Sequence, residues 1–508
     1  MAAIPAAIAS VIVCTVSVLV YKWQYGKQNP PLPPSPQGDS IIGHIRRMPT
    51  EYEEVAYKAW GDELGSSIVS VKLLGQPIVV LNTVEDANEL LVKRALYYSN
   101  RFQIPMLASP RLTNWGKASA LLNYGDRWKG QRKVMHEVLQ KKALKIMWPA
   151  IVKQTRSLVL RISDTRGLQS EIARAVGAVI LQSAYGYEAT EAGDPMIRIA
   201  RAGMQGFSDA SMPADFLVNI FPWLQHAPSW LPGAGWKRQA IAWSKARESL
   251  INIPFGWTKQ QMVNGTALPS ALGSLLAKLA NDESIIDQEE EEDRIKWAMG
   301  SLYAGAIETT TSTILIFILA MIHNPDIQLK AQQELDTIVG NQRLPEMQDQ
   351  VGLPYIGRVV KEVFRWRPVA PLGVPHVCAK DDVYRGYFIP KEAVVMGNIW
   401  GMCSDPGKYP NPEKFDPDRF KSPTTPDPPT FGFGRRICPG QEFADALLFL
   451  TVATTLSIFN IRPAKDSQGN DIMPETKLTG NSLVRFPFPF QCTMELRCEA
   501  KRSLLLQG

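Results

Sequence analysis

Hydrophobic and polar positions recur along this chain with two periods, and each period predicts its own kind of element. Ser66 to Leu74 and Pro77 to Leu81 are rich in β-branched residues and separated by Gly75-Gln76, which predicts a hairpin. Val383 to Val395, with Gly386 inside it, predicts another β region. Most of the remainder has helical period. Gly125-Asp126-Arg127-Trp128 opens a basic helix to about Leu139, and Phe443 to Phe459 reads as a long apolar helix. Asp293 to His323 is one helical pattern without proline, stopped by Asn324-Pro325. At 1.5 Å per residue it spans about 45 Å, long enough to cross a whole domain. Its acidic start, Glu289 to Asp293, suits the positive end of the helix dipole or a solvated face. The expected fold class is mainly α with small β-sheets.

The first residues carry a different pattern. From Ala2 to Tyr21 no side chain is charged, and Val11 to Val20 is nearly all apolar. About 20 apolar residues suffice for a membrane-crossing helix. A cleaved signal peptide would begin with a basic region, and no Lys or Arg precedes Lys22. Positive residues follow the stretch instead (Lys22, Lys27, Arg46, Arg47), which keeps the body of the chain in the cytosol. The expectation is a transmembrane signal anchor over residues 1–21, then a basic, proline-rich linker over 22–40 and one domain over 41–508. Asn29 to Pro36 holds five prolines and reads as a semi-rigid polyproline II strut between membrane and body. The sequon Asn264-Gly265-Thr266 would then go unused.

Composition changes this picture little. Among 508 residues, 45% are hydrophobic and 20% charged, ordinary for a globular chain, and a net charge of +6 does not call for nucleic acid. Six scattered cysteines without a Cys-x-x-Cys pair argue against a disulfide framework or a structural zinc site.

One of those cysteines stands apart. Phe431-Gly432-Phe433-Gly434-Arg435-Arg436-Ile437-Cys438-Pro439-Gly440 presents Cys438 on a glycine-rich loop just before an apolar helix. A helix N-terminus and nearby arginines favour thiolate over thiol. The rival reading, a buried core cysteine, is the commoner fate of an isolated Cys. The string matches Phe-x-x-Gly-x-Arg-x-Cys-x-Gly at every fixed position, and here the chain resembles the cytochrome P450 family. Other marks follow in order. Glu362-Val363-Phe364-Arg365 resembles the family's Glu-x-x-Arg helix, and Phe415-Asp416-Pro417-Asp418-Arg419-Phe420 resembles its Pro-Glu-Arg-Phe segment, with Asp418 where Glu is common. Trp128-x-x-x-Arg132 resembles the pair that meets the haem propionates, and the long helix resembles the one that passes over the haem.

The resemblance implies a cytochrome P450 fold binding haem b (iron protoporphyrin IX), with Cys438 as the axial iron ligand. A thiolate ligand pushes electron density onto iron and favours O–O cleavage. By the same resemblance Arg436, Trp128, Arg132 and His376, with Arg101, would meet the propionates, the alternative for His376 being a structural hydrogen bond, and Phe431 and Gly440 belong to the cofactor loop. Glu362, Arg365 and Arg419 would form a structural triad rather than an exposed ion pair. Gly305-Ala306-Ile307-Glu308-Thr309-Thr310 resembles the oxygen-activation motif, with Thr309 and Glu308 relaying protons. Ala306 stands where Gly is usual, and its methyl is expected to tighten the oxygen groove. The alternative for Thr309 is an ordinary hydroxyl bonded back within its helix.

The implied reaction is monooxygenation of a small or medium hydrophobic molecule, by C–H hydroxylation. No flavin or nicotinamide fingerprint occurs in the chain, so electrons from NADPH would arrive through a separate flavoprotein, an NADPH–cytochrome reductase. Lys129, Arg132, Lys133, Lys141, Lys142 and Lys145 offer a basic docking face, or merely a solvated one. Family position assigns Phe102 to Ala108, Met204 to Phe207, Tyr303-Ala304, Pro371 to Val374 and Asn481 to Val484 to the substrate pocket. Phe216 to Leu224 either dips into the membrane or packs internally. The anchor, strut and Trp-rich middle are similar to membrane-bound fungal members that act in secondary metabolism, anchored in the endoplasmic reticulum with the catalytic domain in the cytosol. Two other readings remain: a haem-thiolate isomerase, dehydratase or peroxygenase, and a haem-binding sensor.

Overall fold

Turn chemistry and helix caps explain where the elements begin and end. The computed structural model describes residues 29–163, 167–189, 193–211, 215–480, 483–497 and 499–507, so the expected anchor lies outside the described residues. Helix α1 (Glu53–Glu63) leads into strands β1 (Ile68–Leu73) and β2 (Gln76–Leu81), followed by the short β3 (Asn100–Arg101). Next come α2 (Asp126–Leu139), α3 (Trp148–Arg161), α4 (Leu168–Ile180), α5 (Pro195–Ala210), α6 (Gly235–Val263) and α7 (Ala271–Asn281). The long α8 (Gln288–His323) is followed by α9 (Pro325–Ile338) and α10 (Pro354–Trp366). Strands β4 (His376–Val377), β5 (Asp382–Tyr384), β6 (Tyr387–Ile389) and β7 (Val394–Gly397) precede α11 (Gln441–Ile458). Strands β8 (Phe459–Lys465), β9 (Asp471–Ile472) and β10 (Cys492–Leu496) come last, before a short C-terminal helix.

The predicted first hairpin forms with its turn one residue earlier, at Leu74-Gly75. Both residues take positive φ (45° and 92°), as a tight primed turn requires, and β2 already starts at Gln76. The second β region divides in two. β5 and β6 pair around Arg385-Gly386, whereas β7, beyond Pro390, leaves to lie parallel with β2. A five-stranded sheet results, in the order β1-β2-β7-β4-β3. Its register sets Arg101 directly opposite His376, although 275 residues separate them in sequence.

Helix α8 starts five residues before the predicted Asp293, because the Asp287 carboxylate caps it by accepting the Glu290 amide at 2.9 Å. The acidic run is therefore its first turn. From Thr310 to Ile322 every residue of α8 is buried. The helix is long and apolar enough to cross a membrane, but it runs through the protein core, with α2, α4, α6 and α11 packed around it. The proline-rich strut, read as a spacer, is fastened to the body over its described part. Pro31 O accepts the Phe388 amide (2.8 Å), Pro34 O the Ser70 amide (2.8 Å), and the His44 ring meets Ser35 Oγ (2.9 Å) and Pro36 O (2.8 Å).

Candidate active site

The loop that carries Cys438 is locked from both ends. Phe431 packs edge-on against Phe364 of α10 (centroids 5.0 Å apart), and Thr430 Oγ1 donates to Phe364 O at 3.2 Å. The Cys438 amide closes the loop on Phe431 O at 2.8 Å. Gly434 has φ +55° and passes so close to Leu91 that an added Cβ would lie 2.3 Å from the Leu91 carbonyl oxygen. No other residue fits there. Gly440, just before α11, turns its amide toward the Cys438 sulfur.

Burial nevertheless raises the Cys438 thiol above its ordinary range, and the Gly440 amide and Arg132 offset this only in part. The expected thiolate-favouring groups are present, and burial opposes them.

A cluster of basic side chains lies beside this loop. Arg436 donates to Ser99 O (2.8 and 2.6 Å) and Leu122 O (2.6 Å), and stacks over the buried Trp128 ring at 4.3 Å. Arg101 holds Val374 O and Pro375 O (3.2 Å) and keeps a buried Nε without a partner. Arg132 donates to Ile437 O, and His376 Nδ1 lies 2.6 Å from Tyr98 O. Burial and mutual repulsion lower them together: Arg101 falls well below its usual value, Arg436 is lowered to about 9, and His376 stays neutral. None of the four has a carboxylate partner among the described residues. Buried cations without counter-charge are costly, and a ligand with two carboxylates, such as haem b, would remove that cost. By this test the residues present fit the haem that the sequence calls for.

The middle of α8 completes the arrangement. Gly305 is exposed between buried turns, and nothing lies within 4 Å of where its Cβ would be. Ser301, Gly305 and Thr309 are four residues apart and share this face. Ser301 Oγ accepts the Ser119 amide at 3.1 Å while Ser119 O accepts from Arg436 at 3.3 Å, which ties the face to the cation cluster. Thr309 Oγ1 donates back to Gly305 O at 2.8 Å, the alternative that sequence left open, so its lone pairs are what it offers the groove. Glu308 turns away from Thr309, toward α5, where Ser208 Oγ lies 3.4 Å from its Oε2. Burial raises the Glu308 carboxyl above the usual range. Ala306 is half-buried and packs against the main apolar core.

The structure brings Glu362, Arg365 and Arg419 together in the core. Arg365 grips both Glu362 oxygens at 2.8 Å, and Arg419 Nε and the Asp416 amide reach Oε1 at 3.1 and 2.8 Å. Arg365 also holds Cys403 O, so the unit pins the segment that precedes the cysteine loop.

Among the pocket segments, Phe207 meets the buried Trp115 edge-on at 5.1 Å. Tyr303 spends its hydroxyl on Met196 O (3.0 Å). Asn481 lies outside the described residues. Phe221 and Trp223 are exposed rather than packed internally, as are Leu217 and Trp230. On the basic face Lys129 pairs with Asp126 and Lys141 with Glu442, while Lys133, Lys142 and Lys145 are exposed. Sequence reasoning missed Ser208 and the carbonyls of Ser99, Leu122 and Tyr98. No residue-type signal marks a backbone acceptor.

The profile of the cytochrome P450 family matches residues 33–493. Relatives extend over nearly the whole chain. Cytochrome P450 monooxygenase 208 of Postia placenta is 39% identical, the alignment covering 96% of this chain and 94% of the relative. Tryptamine 4-monooxygenase of Psilocybe cyanescens is 36% identical over 91% and 92%. Cytochrome P450 monooxygenase claR of Ampulloclitocybe clavipes is 35% identical over 93% and 88%.

Proposed function

The chain belongs to the cytochrome P450 family and is an oxygenating oxidoreductase, and from that premise we propose that it hydroxylates a small or medium hydrophobic molecule at a C–H bond in fungal secondary metabolism. The observation that carries this reading is the cluster of buried Arg101 and Arg436, half-buried Arg132 and neutral His376, without a carboxylate partner among the described residues, beside the locked Cys438 loop. Haem b, when bound, supplies activation of O2 by two electrons, so that one oxygen atom enters the substrate and the other leaves as water.

The chain's own groups do the rest. Cys438 would ligate the iron, and the cluster with Trp128 would hold the two propionates. Thr309 accepts a hydrogen bond in the groove. Glu308, kept protonated more easily by burial, holds a proton on its carboxyl and exchanges it through Ser208, whose hydroxyl donates to Oε2. The triad of Glu362, Arg365 and Arg419 keeps the cysteine loop in place.

NADPH electrons enter through a flavoprotein reductase on the face of Lys133, Lys142 and Lys145. Residues 1–21 anchor the chain in the endoplasmic reticulum membrane, residues 22–40 link it to the catalytic domain (41–508), and the exposed Leu217, Phe221, Trp223 and Trp230 rest on the same bilayer. The named activity of the Psilocybe relative supports an aromatic-containing substrate.

The reduced, CO-bound difference spectrum tests the core of this reading. A red-shifted Soret band that Cys438→Ser removes is expected. A correctly folded, haem-loaded Cys438→Ser protein that keeps the band would overturn the ligand assignment.

A further inference from the structure

We propose that a second cleft, formed by α1, Trp400 and the chain around Lys477 and Arg485, binds an amphipathic carboxylate and is coupled to the haem site. The cleft has a volume of about 460 Å³, within the range of small-molecule pockets. Tyr52, Pro371 and Trp400 supply an apolar wall, and Glu54, Lys477 and Arg485 supply charge. Arg485 is almost wholly buried. Its Nη2 holds Glu54 at 2.8 Å, its Nη1 holds Thr479 O at 3.0 Å, and its guanidinium lies 5.6 Å over the Tyr52 ring. Its Nε is buried and unpartnered.

Both lining acids are already engaged, Glu54 by Arg485 and Glu413 by Arg367 at 3.1 Å. Lys477 is left exposed, without a carboxylate partner among the described residues. Glu53 also acts on Arg485, and Glu51 and Glu475 act on Tyr52, so the exposed Lys477 is the cation left to meet an anionic group, and the aromatic wall calls for a flat apolar body.

Coupling has a short path. Pro371 O accepts the Trp400 amide at 3.0 Å, and the turn that begins at Pro371 ends on Val374 O and Pro375 O, which hold Arg101 of the propionate cluster. The Arg485 amide donates to Val369 O at 2.8 Å, and its carbonyl accepts from Ser312 of α8, three residues beyond Thr309. A ring held between Trp400 and Arg485 therefore bears on the cation cluster and on the helix over the haem.

The proposal relies on the haem reading only for its reporter. Full-length, haem-loaded protein is titrated with 2-naphthoate by calorimetry. It is then titrated with 4-phenylimidazole, read at the Soret band, at rising fixed naphthoate. Naphthoate should bind, and the phenylimidazole Kd should change by about fivefold and then level off, as coupling between separate sites requires. Lys477→Glu should weaken naphthoate at least about tenfold and remove the coupling, Lys477→Arg should keep both, and uncharged methyl 2-naphthoate should produce neither. No heat, an effect that survives Lys477→Glu, or a phenylimidazole Kd that rises without levelling (competition inside the haem pocket) overturns the proposal. A Soret band that phenylimidazole alone does not move counts against the haem reading, and calorimetry then still decides the cleft.

Discussion

Replacing Glu362 with glutamine removes one charge and hardly any volume, in a residue that is wholly buried. Four donors converge on this carboxylate, and three of them (Arg365 Nη2, Arg419 Nε and the Asp416 amide) share Oε1. The amide of glutamine therefore keeps its oxygen there and turns its NH2 toward Arg365 Nε, setting two donors face to face without water. The larger loss is electrostatic, since Arg365 and Arg419 both stay buried with no counter-charge. Breaking a buried, hydrogen-bonded pair costs about 3–5 kcal/mol. Folded proteins are stable by only about 5–15 kcal/mol, so Glu362→Gln should take a large share of the total. Arg365→Lys keeps the charge but loses the two-pronged grip, and a smaller loss is expected. The assay is thermal unfolding of haem-loaded protein followed at the Soret band, with haem per chain measured alongside. A Glu362→Gln protein with full haem content and a melting point within about 1 °C of wild type would refute the reasoning, because a loss of about 3–5 kcal/mol should lower the melting point of a domain this size by several degrees.

Four further outcomes are expected. Thr309→Ala should divert electrons from product to hydrogen peroxide, measured as peroxide released per NADPH consumed; unchanged coupling removes Thr309 from the relay. Glu308 has its pKa raised by burial, so between the unfolded and folded values the native state binds more protons and its stability falls as pH rises. Glu308→Gln should therefore gain melting temperature over wild type at pH 8 relative to pH 4.5, and an equal difference at both would contradict the burial argument. In a chain starting at Asn29, Trp223→Ser with Trp230→Ser should lower co-sedimentation with phospholipid vesicles several-fold; unaltered sedimentation would exclude that surface from the bilayer. Raising salt from low to high should slow reduction by the flavoprotein through screening, and Lys142→Glu with Lys145→Glu should do the same at low salt. Salt-independent reduction would end the electrostatic docking proposal.

Legibility in the sequence followed the range of the interaction responsible. The Cys438 loop was readable because its demands are local: glycine at a positive φ, a cysteine, and a helix starting just after it. Glu362 and Arg365 were readable as a pair because three residues along a helix puts them on one face. The start of α8 was placed late because Asp287, a capping residue, stands before the periodic pattern that marks the helix. The second β region misled because Val394–Gly397 looks continuous with the hairpin before it, while its partner, β2, is far away in sequence.

By itself the sequence determined the mainly helical class, the cysteine loop, the C-terminal end of α8 and the residue types suited to haem. Those follow from backbone sterics and from side-chain periods set by neighbours a few residues apart. Only the tertiary structure decided that Arg101 lies opposite His376, that three arginines gather beside that neutral histidine with no carboxylate partner among the described residues, and that Glu308 turns to Ser208 rather than to Thr309. It alone decided, too, that the proline strut is fastened to the body. The physical reason is that burial, repulsion and hydrogen bonding act through space, and much of what they act on here is backbone carbonyl oxygen, which every residue carries and no sequence pattern distinguishes.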